Sequence, residues 1–127
     1  FFISGCNSMN FSKKSTETET YVNDEVSLEI KNDSIDNSGL VLLISNKTNT
    51  DLTYDSTYYI EQKKNGVWYS SDNEQYFNAL AILLKSKATN EFEVDFETTL
   101  PQGEYRIIKS INVSTGSIPL MVDFKIS

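Results

Sequence analysis

The sequence contains no histidine and only one cysteine, Cys6. Without histidine, Ser-His-Asp and Cys-His catalysis and the two-histidine zinc motif of metalloproteases are excluded. A single cysteine leaves no partner for a disulfide within the chain and no thiolate cluster for a metal. No run of residues approaches the roughly 18 apolar residues of a membrane-spanning helix. We therefore expect no cofactor, no metal, no disulfide and no enzyme activity, with only an enzyme built from carboxylates, Ser and Lys left open.

Positive charge is also scarce, since 11 Lys and Arg stand against 18 Asp and Glu and the net charge is −7. Nucleic-acid phosphates and anionic lipid headgroups repel an acidic domain. The sequence predicts no nucleic-acid partner. Its 127 residues are enough for one hydrophobic core, and neither an internal repeat nor a second composition regime appears.

The chain begins with a short apolar run that ends in small residues and the cysteine, Phe1-Phe2-Ile3-Ser4-Gly5-Cys6. Ile3 to Cys6 resembles the lipobox of bacterial lipoproteins, and the small pair Ser4-Gly5 suits a signal-cleavage site. The resemblance implies cleavage before Cys6, a diacylglyceryl group on its sulfur, and attachment to the extracytoplasmic face of the cell membrane. Residues 1–5 would then end a longer signal peptide. The alternative is a buried structural cysteine.

Residues 7–24 are mostly Ser, Thr, Asn, Glu and Lys, and their only sizeable apolar groups are Met9, Phe11, Tyr21 and Val22. So little apolar surface does not offset the entropy of ordering. We predict that residues 6–24 are the lipidated cysteine and a disordered tether, with a reach of roughly 24 Å. The folded domain is predicted over residues 25–127.

From residue 25 the pattern favours β-strands. Apolar and polar residues alternate over 26–31, 91–97 and 120–126, and residues 40–44 form a continuous apolar run typical of a central strand. Asn65-Gly66 between two strand-like segments predicts a tight hairpin over 57–70. Residues 77–84 and 105–111 complete seven or eight predicted strands, whereas 46–55 is predicted to be a turn-rich connection. An all-β antiparallel sandwich follows from this spacing.

Leu100-Pro101-Gln102-Gly103-Glu104-Tyr105 resembles the tyrosine corner of immunoglobulin-like sandwiches, in which a Tyr hydroxyl bonds to upstream backbone. The alternative is an ordinary tyrosine that follows a turn. Together with Asn46-Lys47-Thr48, Tyr58-Tyr59-Ile60-Glu61, Asn65-Gly66-Val67-Trp68-Tyr69 and Val94-Asp95-Phe96, it resembles the bacterial Ig-like domains of Firmicute lipoproteins over residues 25–127. The resemblance implies a Greek-key, immunoglobulin-like β-sandwich without a disulfide. Departures are Asp55, where glycine is usual, and Phe96, where tryptophan is expected.

Three groups of residues are candidates for binding. The carboxylates Glu91, Glu93, Asp95 and Glu97 lie on one strand face, but neighbours about 7 Å apart suit a solvated face better than a cation site. Residues 32–39 resemble a calcium loop only weakly, because Ile35 takes a ligand position. The third group comprises the aromatic residues of 54–77, which suit either packing or a binding surface. If they form a surface, Trp68, Tyr69 and Tyr59 are its candidates.

These observations favour a non-catalytic, lipid-anchored module of the cell envelope, which binds a protein or cell-wall ligand or has a structural role. The alternative is an Ig-like proteinase inhibitor, since Gly66 to Ser70 and Leu100 to Tyr105 resemble the inhibitors of bacilli. Those inhibitors are intracellular, which the lipobox contradicts.

Overall fold

The computed structural model describes residues 11–16, 24–71 and 80–127. These residues form ten β-strands and no helix. No helix within these ranges is long and apolar enough to cross a membrane. The strands are β1 (Phe11–Lys14), β2 (Val26–Ile30), β3 (Gly39–Asn46), β4 (Leu52–Tyr54), β5 (Tyr59–Lys64), β6 (Val67–Ser71), β7 (Ile82–Leu84), β8 (Thr89–Asp95), β9 (Gly103–Val113) and β10 (Gly116–Ile126).

The strands form two antiparallel sheets. The larger sheet has seven strands in the order β1-β6-β5-β9-β4-β7, with β10 paired to β9 along its length. The smaller sheet has the order β2-β3-β8. On the side of β9 away from β10, β5 pairs with residues 104–108 and β4 pairs at Asn112. Strand β9 is therefore the centre of the larger sheet.

Side chains of both sheets meet in one hydrophobic core. Leu42 and Ile44 of β3 are fully buried, as are Tyr105 and Ile107 of β9. Phe124 of β10 stacks on Tyr105 at 5.5 Å and also on Phe96, which follows β8, at 5.6 Å between ring centroids. The predicted all-β sandwich is confirmed, and Phe96 occupies a core position without the larger tryptophan.

Two local predictions are confirmed. Asn65 and Gly66 both adopt positive φ, 52° and 79°, and connect β5 to β6 in the predicted hairpin. The apolar run of residues 40–44 lies in β3, the middle strand of the smaller sheet. The cause of the hairpin is its turn chemistry. In β3, Leu40, Leu42 and Ile44 are buried, whereas Val41 and Leu43 on the other face are half-buried.

Several boundaries were predicted wrongly. The strand count is ten, because β1 lies within the predicted tether and β4 lies within the predicted connection. Phe11 is buried against Tyr105, with ring centroids 5.8 Å apart, so one aromatic side chain and edge pairing with β6 hold β1 in place. The folded domain thus includes β1, and its predicted start at residue 25 is too late. Within predicted strand 77–84, only Ile82–Leu84 is a strand, and residues 77–79 lie outside the described ranges.

Candidate binding surface

Trp68 lies on the outer face of the larger sheet, the face turned away from the smaller sheet. The strand register places Trp68, Lys63, Glu104 and Lys125 opposite one another across β6, β5, β9 and β10. A surface groove of about 260 Å³ lies along this row. We call it the Trp68 groove, and its lining residues are Lys63, Trp68, Glu104, Tyr105, Asp123, Phe124 and Lys125.

The next row of the same face contains a buried ion pair. Arg106 donates from Nε and Nη2 to Glu61 Oε1 at 2.9 and 2.6 Å, and both residues are almost fully buried. The Ser15 hydroxyl, just after β1, donates to Glu61 Oε2 at 2.7 Å. A charge taken out of water needs such partners, because an unpaired buried charge costs several kcal/mol.

This ion pair also positions the indole of Trp68. The guanidinium carbon of Arg106 lies 4.5 Å from the ring centroid, and Lys63 Nζ lies 5.8 Å from it. Trp68 is only half-buried. A guanidinium fixed by two hydrogen bonds to one carboxylate, and stacked on the indole, restricts the orientation of the ring. The result is a partly exposed aromatic surface that is rigid before any ligand binds.

The structure does not bring the three candidate aromatic residues together. Tyr69 follows Trp68 in β6 and therefore points to the opposite, inner face, where Lys64 Nζ lies 5.4 Å from its ring centroid. Tyr59 is on the outer face and 56% exposed, but it lies at the far end of β5 from Lys63. Trp68 alone of the three lines the groove.

Two other tyrosines of the aromatic segment belong to the core. Tyr54 and Tyr58 are buried, and each meets the Phe92 ring edge-on at about 6 Å. The Tyr58 hydroxyl donates to the Asp95 carbonyl at 2.5 Å, and burial raises the pKa of Tyr58. Packing therefore explains this half of the segment, while Tyr76 and Phe77 lie outside the described residues.

Lys109 is a buried charged residue that the sequence did not single out for burial. It is fully buried, and its Nζ donates to the backbone carbonyls of Asp55 and Thr57. The rings of Tyr54 and Phe92 lie 4.8 and 4.6 Å from the same nitrogen. Burial lowers the pKa of Lys109 to about 8, with partial compensation from the Asp55 carboxylate. The sequence does contain one indication of this burial, because Lys109 falls on the same side of the strand alternation as Tyr105, Ile107 and Ile111.

Tyr105 has the geometry of a tyrosine corner. Its side chain is fully buried, and its hydroxyl donates to the Pro101 carbonyl at 2.6 Å. Gln62 Nε2 donates to the same hydroxyl at 3.3 Å. Gly103 leaves the space for these contacts, since a Cβ there would lie 3.0 Å from Gln62 Nε2. Leu100 is buried, and its N–H donates to the Asn37 carbonyl at 3.1 Å.

The two candidate cation sites are explained by other contacts. All four carboxylates of the acidic row are exposed, and Glu91 pairs with Lys31 at 3.0 Å. In residues 32–39, the Asp36 carboxylate accepts from the hydroxyl and N–H of Ser38 and from the N–H of Gly39, and these bonds lower the pKa of Asp36. Within the described ranges, no group of three or more Asp, Glu, His or Cys is placed to hold a metal.

A second groove runs along the other side of β10. It has a volume of about 490 Å³ and lies between Val122 of β10 and Ile30 of β2, bordered by residues 31–35. Asp123 and Phe124 line both grooves. Its lining includes three apolar residues, Ile30, Ile35 and Val122.

Comparison with known proteins identifies the family. The profile described as Bacterial Ig-like domain matches residues 13–125. This match covers most of the chain, so the protein belongs to this family. Its start at residue 13 agrees with the position of β1 within the domain. A search of curated proteins found no match.

Proposed function

We propose that this bacterial Ig-like domain is a non-catalytic binding module, attached by lipid at Cys6 to the extracytoplasmic face of the cell membrane, and that it binds cell-wall glycan in the Trp68 groove. The observation that carries the binding proposal is the half-buried indole of Trp68, which the buried Arg106–Glu61 pair holds in one orientation. Rigid aromatic residues lose little entropy on binding and offer a stacking surface for a sugar ring.

The polar lining of the groove supports a glycan ligand. Lys63 and Lys125 supply hydrogen-bond donors, while Glu104 and Asp123 supply acceptors. Their charges cancel, so the groove does not select for a strongly charged ligand. Its volume of about 260 Å³ lies below the usual size of a drug-sized pocket, about 300–1,000 Å³. One sugar unit of a longer chain suits a groove of this size and openness.

The buried charges of the described residues support a module without catalysis. Arg106 and Glu61 bond to each other, and Lys109 bonds to two backbone carbonyls, so each is committed to the fold. General acid–base catalysis needs a titratable group within hydrogen-bond reach of a bound substrate. Carboxylates and amines in the Trp68 groove are open to solvent and suit recognition of hydroxyl groups.

Trp68 is the only tryptophan, so its fluorescence reports directly on the groove. The full chain with Cys6→Ser, which cannot be acylated, is titrated with soluble glycan strands released from bacterial cell wall. We expect a saturable change in emission, and at least a tenfold loss of binding in Lys63→Ala measured by the same signal. Tyr59→Ala, on the same face but outside the groove, should bind like the parent. Equal binding by all three proteins, or none by the parent, would refute the glycan site.

The lipid anchor has a separate test. The segment Ile3-Ser4-Gly5-Cys6 supports it, and the match of the Ig-like family to the residues that follow fits a module displayed outside the cell. Expression of the full-length precursor with radioactive palmitate should label the protein, and mass spectrometry should find a diacylated Cys6 at the mature N-terminus. Cys6→Ala should abolish the label. A free Cys6 thiol in the native protein would contradict the anchor.

No observation in the described residues favours the proteinase-inhibitor alternative. The β5–β6 hairpin that suggested it ends in a tight Asn65-Gly66 turn and contributes Trp68 and Lys63 to the groove. We therefore propose the binding module alone.

A further inference from the structure

The direction of β1 shows which end of the sandwich lies towards an anchor at Cys6. Strand β1 is antiparallel to β6, and its last residue pairs with Tyr69, close to the Asn65-Gly66 turn. The N-terminal residue of β1, Phe11, is therefore at the end of β1 that lies away from this turn. At that end β9 finishes at Val113 and turns into β10 at Gly116.

Two more connections lie at the same end. Strand β4 is antiparallel to β9 and β7 is antiparallel to β4, so residues 47–51 before β4 and residues 85–88 after β7 lie on the side of Val113. The N–H of Ser86 donates to Asp51 Oδ1 at 2.9 Å, which joins these two loops. We call the loops 47–51 and 85–88 and the turn 114–115 the proximal end.

The chain between Cys6 and the sheet is too short to hold this end away from a membrane. Phe11 pairs with Ser71 of β6, the β5–β6 register places Ser71 beside Ile60, and Ile60 pairs with Ile107 of β9. Phe11 and Ile107 therefore lie at the same height along the strands. From Ile107 to Val113 the strand extends about 20 Å further towards the proximal end. From Phe11 back to Cys6, five Cα–Cα steps span at most about 18 Å. Even if the chain from Phe11 to Cys6 is fully extended along the strands, Cys6 reaches no further than the proximal end.

The composition of the proximal end suits contact with lipid headgroups. Lys47, Lys85 and Lys87 are exposed there, and the turn 114–115 is Ser-Thr. The acidic groups that the described residues place there are Asp51, whose carboxylate accepts from the Ser86 N–H, and Asp24 and Glu25 just before β2. This balance near zero contrasts with the chain as a whole at −7. Exposed ammonium groups are attracted to an anionic headgroup surface.

We infer that the proximal end rests on the lipid headgroups and that the Trp68 groove lies at the opposite, membrane-distal end of the sheet, on its outer face. The inference rests on the proposed anchor at Cys6. In this arrangement the domain is docked end-on on the bilayer. The predicted tether of residues 6–24 does not hold it at a distance, because β1 lies within that segment. The groove then lies towards the cell wall, since Lys63 and Glu104 belong to the end of the sheet opposite Val113.

The ends of β9 provide a matched pair of labelling sites. Gln102 immediately precedes β9, Thr115 lies two residues after its end, and both are exposed. Lys13 is exposed on β1 at the sheet edge. Because Cys6 would be acylated, each of Gln102→Cys, Thr115→Cys and Lys13→Cys introduces the only free thiol. Each lipidated full-length protein is labelled with a fluorophore and incorporated into vesicles of phosphatidylcholine and phosphatidylglycerol that carry a headgroup quencher.

We expect the label at residue 115 to be quenched at least threefold more strongly than the label at residue 102, with the label at residue 13 in between. Strongest quenching at residue 13 would show that the domain lies on its β1 edge, and equal quenching at all three sites would show no fixed orientation. Either result overturns the inference while the anchor stands. Mass spectrometry of the same samples separates the two proposals, because a free Cys6 thiol overturns both.

Discussion

The buried Lys109 gives the sharpest prediction about stability, because its environment opposes its charge. The ammonium group has no solvent exposure, and its partners are two backbone carbonyls and two aromatic rings. Burial lowers its pKa from 10.5 to about 8. The unfolded chain, in which the ordinary pKa returns, therefore binds more protons than the folded protein between these two pH values.

The sign and size of the effect follow from proton linkage. Where the unfolded state binds more protons, the free energy of unfolding rises with pH. A pKa lowered from 10.5 to about 8 corresponds to about 3 kcal/mol at about 1.36 kcal/mol per pH unit. Between pH 7 and pH 9.5 we expect a gain of about 2 kcal/mol from Lys109. Above pH 10 the buried Tyr105, whose pKa is raised to about 12, acts in the opposite direction, because unfolding allows it to ionise.

The assay is urea unfolding of the parent, Lys109→Met and Lys125→Met at pH 7 and 9.5. The whole acidic chain changes charge over this range, so only the difference between proteins isolates Lys109. The Met variant should lack the gain of about 2 kcal/mol, whatever its absolute stability. Lys125 is exposed on the neighbouring strand, and its variant should keep the parental pH dependence. If Lys109→Met shows the same pH dependence as the parent, the argument from burial is wrong.

Three further predictions concern the packing. Tyr105→Phe removes the hydroxyl that bonds Pro101 and Gln62 and should lower the free energy of unfolding by about 1–2 kcal/mol in urea. Tyr69→Phe keeps its ring beside Lys64 and should change this free energy much less; equal stability of the two variants would refute the corner. If β1 belongs to the cooperative domain, Phe11→Ala should lower the free energy of unfolding by about 3 kcal/mol, measured by calorimetry. An unchanged melting curve would show that residues 11–14 do not contribute to the folded domain. Gly39→Ala places a Cβ 2.5 Å from the Val94 carbonyl oxygen, which forces β3 away from β8. The free energy of unfolding should fall by about 2 kcal/mol or more. Hydrogen exchange should show faster exchange of the amides that pair β3 with β8.

The sequence predicts those parts of the fold whose cause is local. The alternation over 91–97, the continuous apolar run of 40–44 and the Asn65-Gly66 turn each indicate one element. The predicted strand over 91–97 is too long at its end, since β8 ends at Asp95 and Glu97 has a positive φ of 63°. Strands β1 and β4 have no such signal. Each is held by pairing with a strand far away in the sequence, β6 for β1 and both β7 and β9 for β4. Local sequence patterns do not show pairing between distant strands. For that reason the sequence predicts a tether where β1 lies and a turn-rich connection where β4 lies.

The candidate surface was predictable only as a choice of residues. Aromatic content indicated Trp68, Tyr69 and Tyr59, and alternation along β6 was enough to place Trp68 and Tyr69 on opposite faces. The Arg106–Glu61 pair had no signal, because outward positions of a sheet normally face water and both residues have charged side chains. Their burial depends on which parts of the chain lie over the outer face, and Ser15 after β1 is one of them.

Strand β9 is bonded to four other parts of the chain through three polar side chains. Tyr105 bonds to Pro101 in the loop before the strand, Arg106 bonds to Glu61 and Ser15 on the outer face, and Lys109 bonds to the connection at Asp55 and Thr57. In a chain whose one cysteine is Cys6, no disulfide can take over this role. Polar groups in such buried positions are costly unless every one is satisfied, and in the described residues no buried side-chain nitrogen or oxygen lacks a partner. The cost of an unsatisfied buried group favours the one arrangement in which Tyr105, Arg106 and Lys109 all have their partners. The same arrangement places the Arg106 guanidinium against the ring of Trp68.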